Sequence, residues 1–420
     1  MQATLSQVAG VDVHKEVLVI CALIDQADGS PKKEILECST MTEDLIECGK
    51  KLVRLGIKHV AMESTGIYWK PVYNVWRRLG LIVTLGNAQH MKNVPGRKTD
   101  VCDSEWIAQL HRSGLIRPSY IPEEEFQQLR VLTRHRTYLV SDISRVKNRV
   151  QKGLEDGNVK LGSVISNVFG VAGLQVVRAI ASGITDANKL CNLVQTNVKT
   201  SQEDLRKSLS NCLTQTHCFD LAEHLRQYDA LQECLEKLNI QIEARMQKYT
   251  ELIERLDEIP GIDKIGAQVI IAEATADMSP FGTDRRFAAW SGVAPGNNRS
   301  AKKRKKAKVR HGNRYFKNIL GQAAKSAIQK DSSYYQAKYR KLVMQTGSRM
   351  KAIIAIANRI CRAIYHIIAN PNEHFKDLGW LRVDDPDIAI KRAIGKLKAL
   401  GLTVQYDGKN LVRLAADAAQ

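Results

Sequence analysis

The stretch Gly10–Cys21, GVDVHKEVLVIC, decides the fold. It contains most of two apolar, β-branched runs, Val8–Val13 and Val17–Ile24, which a short polar turn separates. Two such runs joined by a short turn predict a β-hairpin. Asp12 comes near the end of the first run, where a carboxylate would be partly buried and would need a partner. The hairpin therefore predicts the start of a sheet and a candidate functional residue within it.

Patterns typical of strands and helices alternate after this hairpin. The expected elements are a strand at Glu34–Ser39, a helix with Thr42 as its N-cap, a strand at His59–Met62, a helix at Trp69–Leu79, a strand at Leu81–Leu85 and a helix at Asp100–His111. This order of three strands, helix, strand, helix, strand, helix matches an RNase H-like α/β fold. Periodicity predicts the elements and leaves the topology open.

The rest of the chain is mostly helical in pattern. Phe126–Leu154 predicts one long helix, and apolar residues spaced by threes and fours from Leu221 to Leu256 predict another that ends at Pro260. The second helix has coiled-coil character, and it either packs inside its own chain or forms a coil between chains. The segment 281–300 is loop-rich, helices continue to about Ala369, and a tail with a helix and a strand follows.

The fold class is thus α/β plus α, in four parts. We expect an RNase H-like domain with an attached basic helix at 5–155 and a helical, coiled-coil region at 156–258. A C-terminal helical domain at 259–370 begins with a turn, Pro260–Gly266, that is similar to a helix-hairpin-helix turn. A small tail occupies 371–420.

The composition indicates a globular chain with a polyanionic partner. The 420 residues are 44% hydrophobic and carry a net charge of +19, and nucleic acid is the commonest partner of so basic a chain. The nine cysteines form no CxxC pair, so neither a disulfide framework nor a zinc ribbon is indicated. No signal peptide or membrane span is expected, and Ile353–Ile368 is predicted to be a buried helix with a polar face.

Four carboxylates are candidates for a metal site. Asp12 and Glu63 each end an apolar run, and Asp100 and Asp103 are three residues apart at the start of a helix, which places both on one face. Hard cations such as Mg²⁺ prefer oxygen ligands, and two such ions could act on both oxygens of a phosphodiester exchange. The alternative is structural: Asp100 would cap its helix and Asp103 would interact with the helix dipole.

Two basic segments are candidates for contact with nucleic-acid phosphates. Tyr315 and Phe316 interleave with the first of them, which has no acidic residue from Arg285 to Lys330. The candidates are Lys302, Lys303, Arg304, Lys305, Lys306, Arg310 and Arg314 in that segment, and Arg134, Arg145 and Arg149 on the helix after Phe126. A nuclear-localisation signal is the alternative for the first segment and a solvated helix face for the second.

Several motifs resemble the IS110 family of insertion-sequence transposases, which includes the Piv-type DNA invertases. GVDVHKEVLVIC, AMESTGIYWKPVY and GRKTDVCDSEWIAQL resemble its three DEDD motifs. RPSYIPEEEFQQLRVLTRHRTYLV, IPGIDKIGAQVIIAE and WSGVAPGNNRSAKKRKKAKVRHGNRYFKN resemble its later segments. The resemblance covers roughly residues 5–370, with a weaker similarity in DLGWLRVDDPDIAIKRAIGKLKALGLTV.

The resemblance implies a RuvC-like nuclease domain joined to a domain with a nucleophilic serine. Asp12, Glu63, Asp100 and Asp103 then occupy the positions that bind Mg²⁺ or Mn²⁺. Ser300 occupies the nucleophile position, and a phosphoserine intermediate is implied. Arg299 departs from the acidic or polar residue usual before that serine, which leaves Ser291 as the alternative.

The expected function is therefore a DNA transposase or recombinase whose two domains form a composite active site. The resemblance also implies a bridge RNA that pairs with target and donor DNA, a synaptic dimer or tetramer, and a cytoplasmic, nucleoid-associated protein of a bacterium or archaeon. The alternatives are an RNase H-like nuclease such as a junction resolvase, a site-specific DNA invertase, and a non-enzymatic nucleic-acid-binding scaffold.

Overall fold

The chain forms two compact units, Met1–Ile121 and Pro122–Gln420, in a computed structural model. The structure describes residues 4–26, 30–64, 66–86, 91, 103–194, 200–296, 299–300, 303–304, 309 and 312–379, with short pieces of the tail at 390, 394, 397, 404–406 and 411–413.

The first unit is built on a mixed five-stranded sheet. Its strands are β1 (Gln7–Val13), β2 (Val17–Asp25), β3 (Pro31–Ser39), β4 (His59–Glu63) and β5 (Ile82–Gly86). They lie in the order β3-β2-β1-β4-β5. β1, β2 and β3 pair antiparallel, whereas β1 pairs parallel with β4 and β4 pairs parallel with β5. The predicted hairpin is confirmed as β1 and β2, and every predicted strand of this unit is present.

Helices cover both faces of this sheet. α1 (Thr42–Arg54) and α2 (Trp69–Arg78) pack on one face, where Val11, Val60 and Met62 belong to the same buried cluster as Trp76. α3 (Asp103–Arg112) lies on the other face. A Cβ atom on Gly10 would lie 2.2 Å from the backbone of Ala108 and Ser104. Glycine at this position therefore lets the α3 backbone approach β1 directly.

The start of α1 differs from the prediction. Thr42 is the first residue of the helix, and its N-cap is Met41, which makes no side-chain capping bond. The hydroxyl of Ser39 accepts a hydrogen bond from the Met41 backbone instead, at 3.1 Å. The cap prediction is wrong because the chain leaves β3 in a turn that ends one residue earlier than the apolar spacing suggested.

The second unit is helical over most of its described residues. Its helices are α4 (Glu124–Asp156), α5 (Leu161–Val164), α6 (Val171–Ala181), α7 (Ala187–Asn192), α8 (Gln202–Leu209), α9 (Gln215–Met246), α10 (Thr250–Asp257), α11 (Lys264–Ala274), α12 (Asp284–Trp290), α13 (Arg314–Ala327), α14 (Tyr334–Thr346) and α15 (Arg349–Ala369). α12 lies inside the segment expected to be loop-rich, and it begins because the Thr283 hydroxyl accepts a hydrogen bond from the Arg286 backbone.

The long helices α4 and α9 pack against each other through the predicted apolar stripe. Leu221 and Leu225 of α9 share a buried cluster with Val150 and Leu154 of α4. Tyr228 shares another with Ile143 and Val146. A short 3-10 helix, Gln247–Tyr249, separates α9 from α10 where the spacing slips. Of the two alternatives for this stripe, the structure shows packing within one chain.

α15 is apolar and long enough to cross a membrane by length and composition alone. Half of its apolar window is buried inside the second unit. Arg362 pairs with Asp284 at 2.5 Å, and the Asn358 amide donates to the Val293 carbonyl at 3.4 Å. These contacts match the predicted buried helix with a polar face.

Two small hairpins complete the described structure. β6 (Arg299–Ser300) pairs with β7 (Lys303–Arg304), and β8 (Val404–Tyr406) pairs with β9 (Leu411–Arg413) in the tail. Most of the helix predicted near residues 387–397 lies outside the described residues. The sequence prediction attached the basic helix to the first domain, whereas α4 contacts α9 and α11 and so groups with the second unit.

Candidate functional site

The strand register places Asp12 and Glu63 side by side. β1 and β4 are parallel, and Gly10 pairs with Ala61 and Val11 with Met62, so the next positions are Asp12 and Glu63. Successive side chains alternate between faces, so both carboxylates share the face of Gly10 and Ala61, which α3 covers. Neighbouring strands are about 4.8 Å apart, which is close enough for two carboxylates to share an ion.

Asp103 is the first residue of α3, the helix that lies on this same face. Ser104, the next residue, contributes the carbonyl oxygen nearest to Gly10, two positions before Asp12 on β1. The start of α3 therefore lies over the carboxyl end of β1. Asp100, the fourth predicted carboxylate, lies outside the described residues.

Asp12 has a basic neighbour. Its Oδ2 atom lies 3.0 Å from His14 Nε2, and the Asp12 side chain is 28% exposed. Among the residues that the structure describes, which leave out Asp100, no group of three or more His, Cys, Asp or Glu side chains is close enough to hold a metal ion. The geometry brings two carboxylates to one edge and a third to the helix above it, and the four-carboxylate site remains a prediction.

Ser300 lies in the β6–β7 hairpin, where it pairs with Lys303. The residues before and after the surrounding loop are in contact with each other. A Cβ atom on Gly312 would lie 2.3 Å from the Gly292 nitrogen, and the Asn313 backbone donates to the Trp290 carbonyl at 3.3 Å. The residues that flank the segment 293–311 are therefore adjacent, and we call this segment the serine loop.

Ser291, the alternative nucleophile, is fully buried. Its hydroxyl donates to the Phe287 carbonyl at 2.7 Å and lies 3.3 Å from the Cys361 sulfur. Burial raises the pKa of the Cys361 thiol to about 12, so no thiolate is present there to activate a hydroxyl. The alternative is wrong because Ser291 closes the end of α12 inside the core.

The structure describes three of the seven predicted phosphate-binding residues near the serine. Lys302, Lys305, Lys306 and Arg310 lie outside the described residues, and Lys303 and Arg304 are described only as the backbone of β7. Arg314 is exposed at the start of α13. On α4, Arg145 is exposed and lies 2.7 Å from Asp142, and Arg149 is exposed one turn later.

Arg134 faces inward and holds a buried carboxylate. Its Nε and Nη2 atoms donate to the two carboxylate oxygens of Glu273 at 2.7 and 2.8 Å. Glu273 is fully buried, and it also accepts a hydrogen bond from the Asn313 amide at 2.6 Å and lies 3.5 Å from Arg130. Burial lowers the pKa of Arg134, but the hydrogen bonds with Glu273 outweigh that effect and raise it overall. Arg134 thus has an internal partner, unlike the phosphate contact predicted for it.

Glu273 has a sequence signal that could have identified it. It follows the apolar run Val269–Ala272 in the middle of a helical pattern, where a carboxylate is costly unless it is paired. Its partners are 139 and 40 residues away along the chain, so spacing alone does not reveal them. Through these bonds Glu273 links α4 and α11 to the residue that precedes α13.

A cluster of three polar aromatic and basic side chains lies beside this network. We call Tyr138, Arg314 and Tyr315 the tyrosine–arginine cluster. The two phenol oxygens are hydrogen-bonded to each other, and Arg314 Nη2 donates to Tyr138 at 2.9 Å and to Tyr315 at 2.6 Å. Arg134 and Arg314 lie 4.3 and 4.7 Å from the centre of the Tyr315 ring. The cluster therefore concentrates positive charge around one ring.

The turn Pro260–Gly266 does not leave its helix end open. Asp263 is the N-cap of α11 and accepts a hydrogen bond from the Gly266 nitrogen at 2.7 Å. Gly261 has a φ of +89° and approaches the Ala323 carbonyl so closely that a Cβ atom would lie 2.2 Å from it. A carboxylate occupies the helix end and the glycine packs on α13, so the contacts of this turn are structural.

Comparison with known proteins adds independent evidence to this geometry. The IS110 DEDD transposase model matches residues 9–158, and the model described as the transposase IS116/IS110/IS902 family matches residues 253–340. A Pseudomonas aeruginosa protein with the name probable family 20 transposase is 26% identical over 318 residues, which are 74% of this chain and 83% of that protein. A Sinorhizobium fredii protein named for transposase y4pF/y4sB is 26% identical over 196 residues, 46% of this chain and 48% of that protein.

The two family models together match more than half of the chain: the first match runs from the first unit into α4 of the second, and the second match lies within the second unit. The chain belongs to the IS110 family of transposases. DNA is therefore its substrate, and its activity belongs to DNA strand cleavage and transfer.

Proposed function

We propose that this transposase breaks and rejoins DNA strands with a carboxylate-bound divalent cation and a serine nucleophile. The carboxylates are Asp12, Glu63, Asp100 and Asp103, and the nucleophile is Ser300. The register that places Asp12 beside Glu63 under α3 carries the proposal. The strand order β3-β2-β1-β4-β5, with three antiparallel strands and two parallel ones, supports an RNase H-like fold for this unit.

The carboxylates fit a hard cation because every ligand that they offer is an oxygen. When bound, Mg²⁺ or Mn²⁺ would neutralise charge on the phosphate during the exchange. The sheet carries Asp12 and Glu63, and α3 carries Asp103. Regular secondary structure therefore positions three of the four carboxylates. His14 pairs with Asp12 and would have to turn away, or join the set, when the cation binds.

Ser300 performs the covalent step. Its Oγ atom forms a bond to phosphorus, one P–O bond of the DNA backbone breaks, and the departing deoxyribose oxygen takes up a proton as Ser300 loses one. The resulting phosphoserine conserves the energy of the phosphodiester. A hydroxyl of the second strand then attacks phosphorus and releases Ser300, so strands are rejoined without an external energy source.

The proposal extends to partners. A bridge RNA would supply sequence choice by base pairing with target and donor DNA, while the basic surfaces bind backbones. A synaptic dimer or tetramer would hold the strands together. The protein would act in the cytoplasm at the nucleoid of a bacterium or archaeon.

The test is covalent capture of DNA by the full chain. With Mg²⁺, the wild type is expected to form a denaturant-resistant protein–DNA adduct, and Ser300→Ala is expected to form none. Asp103→Asn is expected to lower the adduct rate by about 100-fold or more, as loss of one charge-stabilising group typically does. Glu43→Gln, which changes an exposed carboxylate at the start of α1, is the matched control.

The outcomes separate the alternatives. If Ser300→Ala still cuts DNA, the chain is a nuclease without serine chemistry. If Asp12→Asn and Asp103→Asn retain full activity, the carboxylates are structural and the metal proposal fails.

A further inference from the structure

The tyrosine–arginine cluster presents a guanidinium that only neutral groups hold. Arg314 is exposed, and its hydrogen-bond partners among the described residues are the hydroxyl groups of Tyr138 and Tyr315. In the part of the chain that the structure describes, no carboxylate lies within ion-pair distance of it. Arg178, another exposed arginine of this unit, provides a contrast because both oxygens of Asp229 bind it, at 2.6 and 2.9 Å.

The geometry leaves part of the Arg314 guanidinium available. Both hydrogen bonds to the phenols use Nη2. Nε and Nη1 make no hydrogen bond within the described residues. A guanidinium that is fixed by one nitrogen and open at the other two is suited to bidentate binding of a phosphate, because less side-chain entropy is lost on binding.

Arg134 and the buried Glu273 support the tyrosine–arginine cluster from inside the protein. Arg134 lies under the Tyr315 ring and is itself held by both oxygens of the buried Glu273. The Glu273 charge is thus offset inside the protein, while the Arg314 charge remains at the surface. Burial raises the pKa of Tyr315, but its hydrogen bonds with Tyr138 and Arg314, and the charges of Arg314 and Arg134, lower it overall.

The cluster also lies at the end of the serine loop. Arg314 follows Asn313, which Glu273 holds, and Gly312, which contacts Gly292. A ligand bound at Arg314 therefore lies where the chain returns from Ser300 to the helical core. In the proposed function that loop reacts with DNA.

We propose that Tyr138, Arg314 and Tyr315 form a binding site for a phosphate of the DNA backbone, next to the strand that reacts with Ser300. Arg314 supplies the charge and the two outer donors. The phenols orient its guanidinium, and Arg134 and Glu273 are positioning residues that support the Tyr315 ring. This inference rests on the proposed function for its choice of DNA.

The test measures equilibrium binding by the full chain without divalent cations, so that no strand is cut. The probes are a random-sequence DNA duplex and an RNA of the same length. Arg314→Gln is expected to weaken DNA binding about tenfold and to reduce the slope of log affinity against log salt by about 1, because one phosphate contact is lost. Arg178→Gln, the control, is expected to change neither quantity because Asp229 already neutralises that charge.

Two further variants separate charge from orientation. Arg314→Lys keeps the charge, so the salt slope should be retained, while affinity should fall about threefold because the fork geometry is lost. The double variant Tyr138→Phe, Tyr315→Phe should also retain the salt slope and lower the affinity about threefold, because it removes the phenol oxygens that orient the Arg314 guanidinium. Thermal unfolding of each variant shows whether the fold is intact.

Equal effects of Arg314→Gln and Arg178→Gln on DNA binding would overturn this site. A loss confined to the RNA probe would overturn the assignment to DNA and identify an RNA backbone instead. If the wild type forms no Ser300-dependent adduct but Arg314→Gln weakens DNA binding as expected, the proposed chemistry fails while the phosphate site stands.

Discussion

His111 is a buried histidine that folding keeps neutral. It lies on α3 with its Nε2 atom buried and without a hydrogen-bond partner among the described residues. Burial, and secondarily the nearby His59 ring, lower the pKa of His111 from 6.5 to about 4. The protonated form is therefore disfavoured in the folded chain.

This shift makes the stability of the first unit depend on pH. Between pH 6.5 and 4 the unfolded chain binds a proton at His111 that the folded chain does not, so the free energy of unfolding falls as the pH falls. The full difference is about 3 kcal/mol, reached near pH 4. Urea unfolding at pH 7 and pH 4.5 measures it. His111→Gln should lose this part of the pH dependence, and a wild-type stability that rises on acidification would contradict the assignment.

At the scale of elements, the contact between β1 and α3 places the carboxylates. Gly10 allows α3 to touch the strand, and the same contact carries Asp103 towards the end of β1 where Asp12 lies. A side chain at Gly10 would therefore separate the elements that hold the proposed cation.

Gly10→Ala is expected to destabilise the first unit by about 1–3 kcal/mol, the usual cost of overpacking, and to lower the metal-dependent adduct rate. The methyl group would overlap the Ala108 and Ser104 backbone, and backbone atoms have little freedom to move away. Urea unfolding and the adduct assay report the two effects. The control is Gly321→Ala in α13, where a Cβ atom meets nothing within 4 Å and a gain of about 0.5–1 kcal/mol is expected. An unchanged adduct rate in a destabilised Gly10→Ala would mean that this contact does not position the carboxylates.

Sequence patterns predict these strands and helices well, but they predict poorly which side chains pair with partners that are distant in the sequence. The apolar runs Val8–Val13 and Val17–Ile24 predict the central hairpin because core side chains cover both faces of these two strands. The basic composition of α4 predicts a nucleic-acid surface, yet Arg134 pairs with Glu273, 139 residues away. A charge run shows which side chains are cationic, whereas only the fold shows which of them already have an anion.

At the scale of the whole molecule, the chain consists of two compact units, and each has buried hydrophobic clusters of its own. Chains of this kind generally do not unfold in a single two-state transition. Two buried ionisable side chains divide between the units: His111 belongs to the first, and Glu273 to the second.

Chemical denaturation is therefore expected to show two transitions that respond to different substitutions. Acidification to pH 4.5 should lower the midpoint of one transition because His111 takes up a proton on unfolding. Glu273→Gln should lower the midpoint of the other, with a loss of about 1–3 kcal/mol in the free energy of unfolding, since an amide replaces the buried carboxylate that Arg134 and Asn313 bind. Urea titration followed by circular dichroism and tryptophan fluorescence resolves the two. A single transition that both changes shift equally would show that the chain unfolds as one cooperative body.

The backbone contact between Gly292 and Gly312 has a consequence for how such enzymes can diversify. Because the intervening residues begin and finish at neighbouring points, their number can change without moving α12 or α13. Doubling the length of such an excursion costs only about 0.6 kcal/mol in closure entropy. Insertions and deletions there can change the length of the serine loop while α12 and α13 keep their packing.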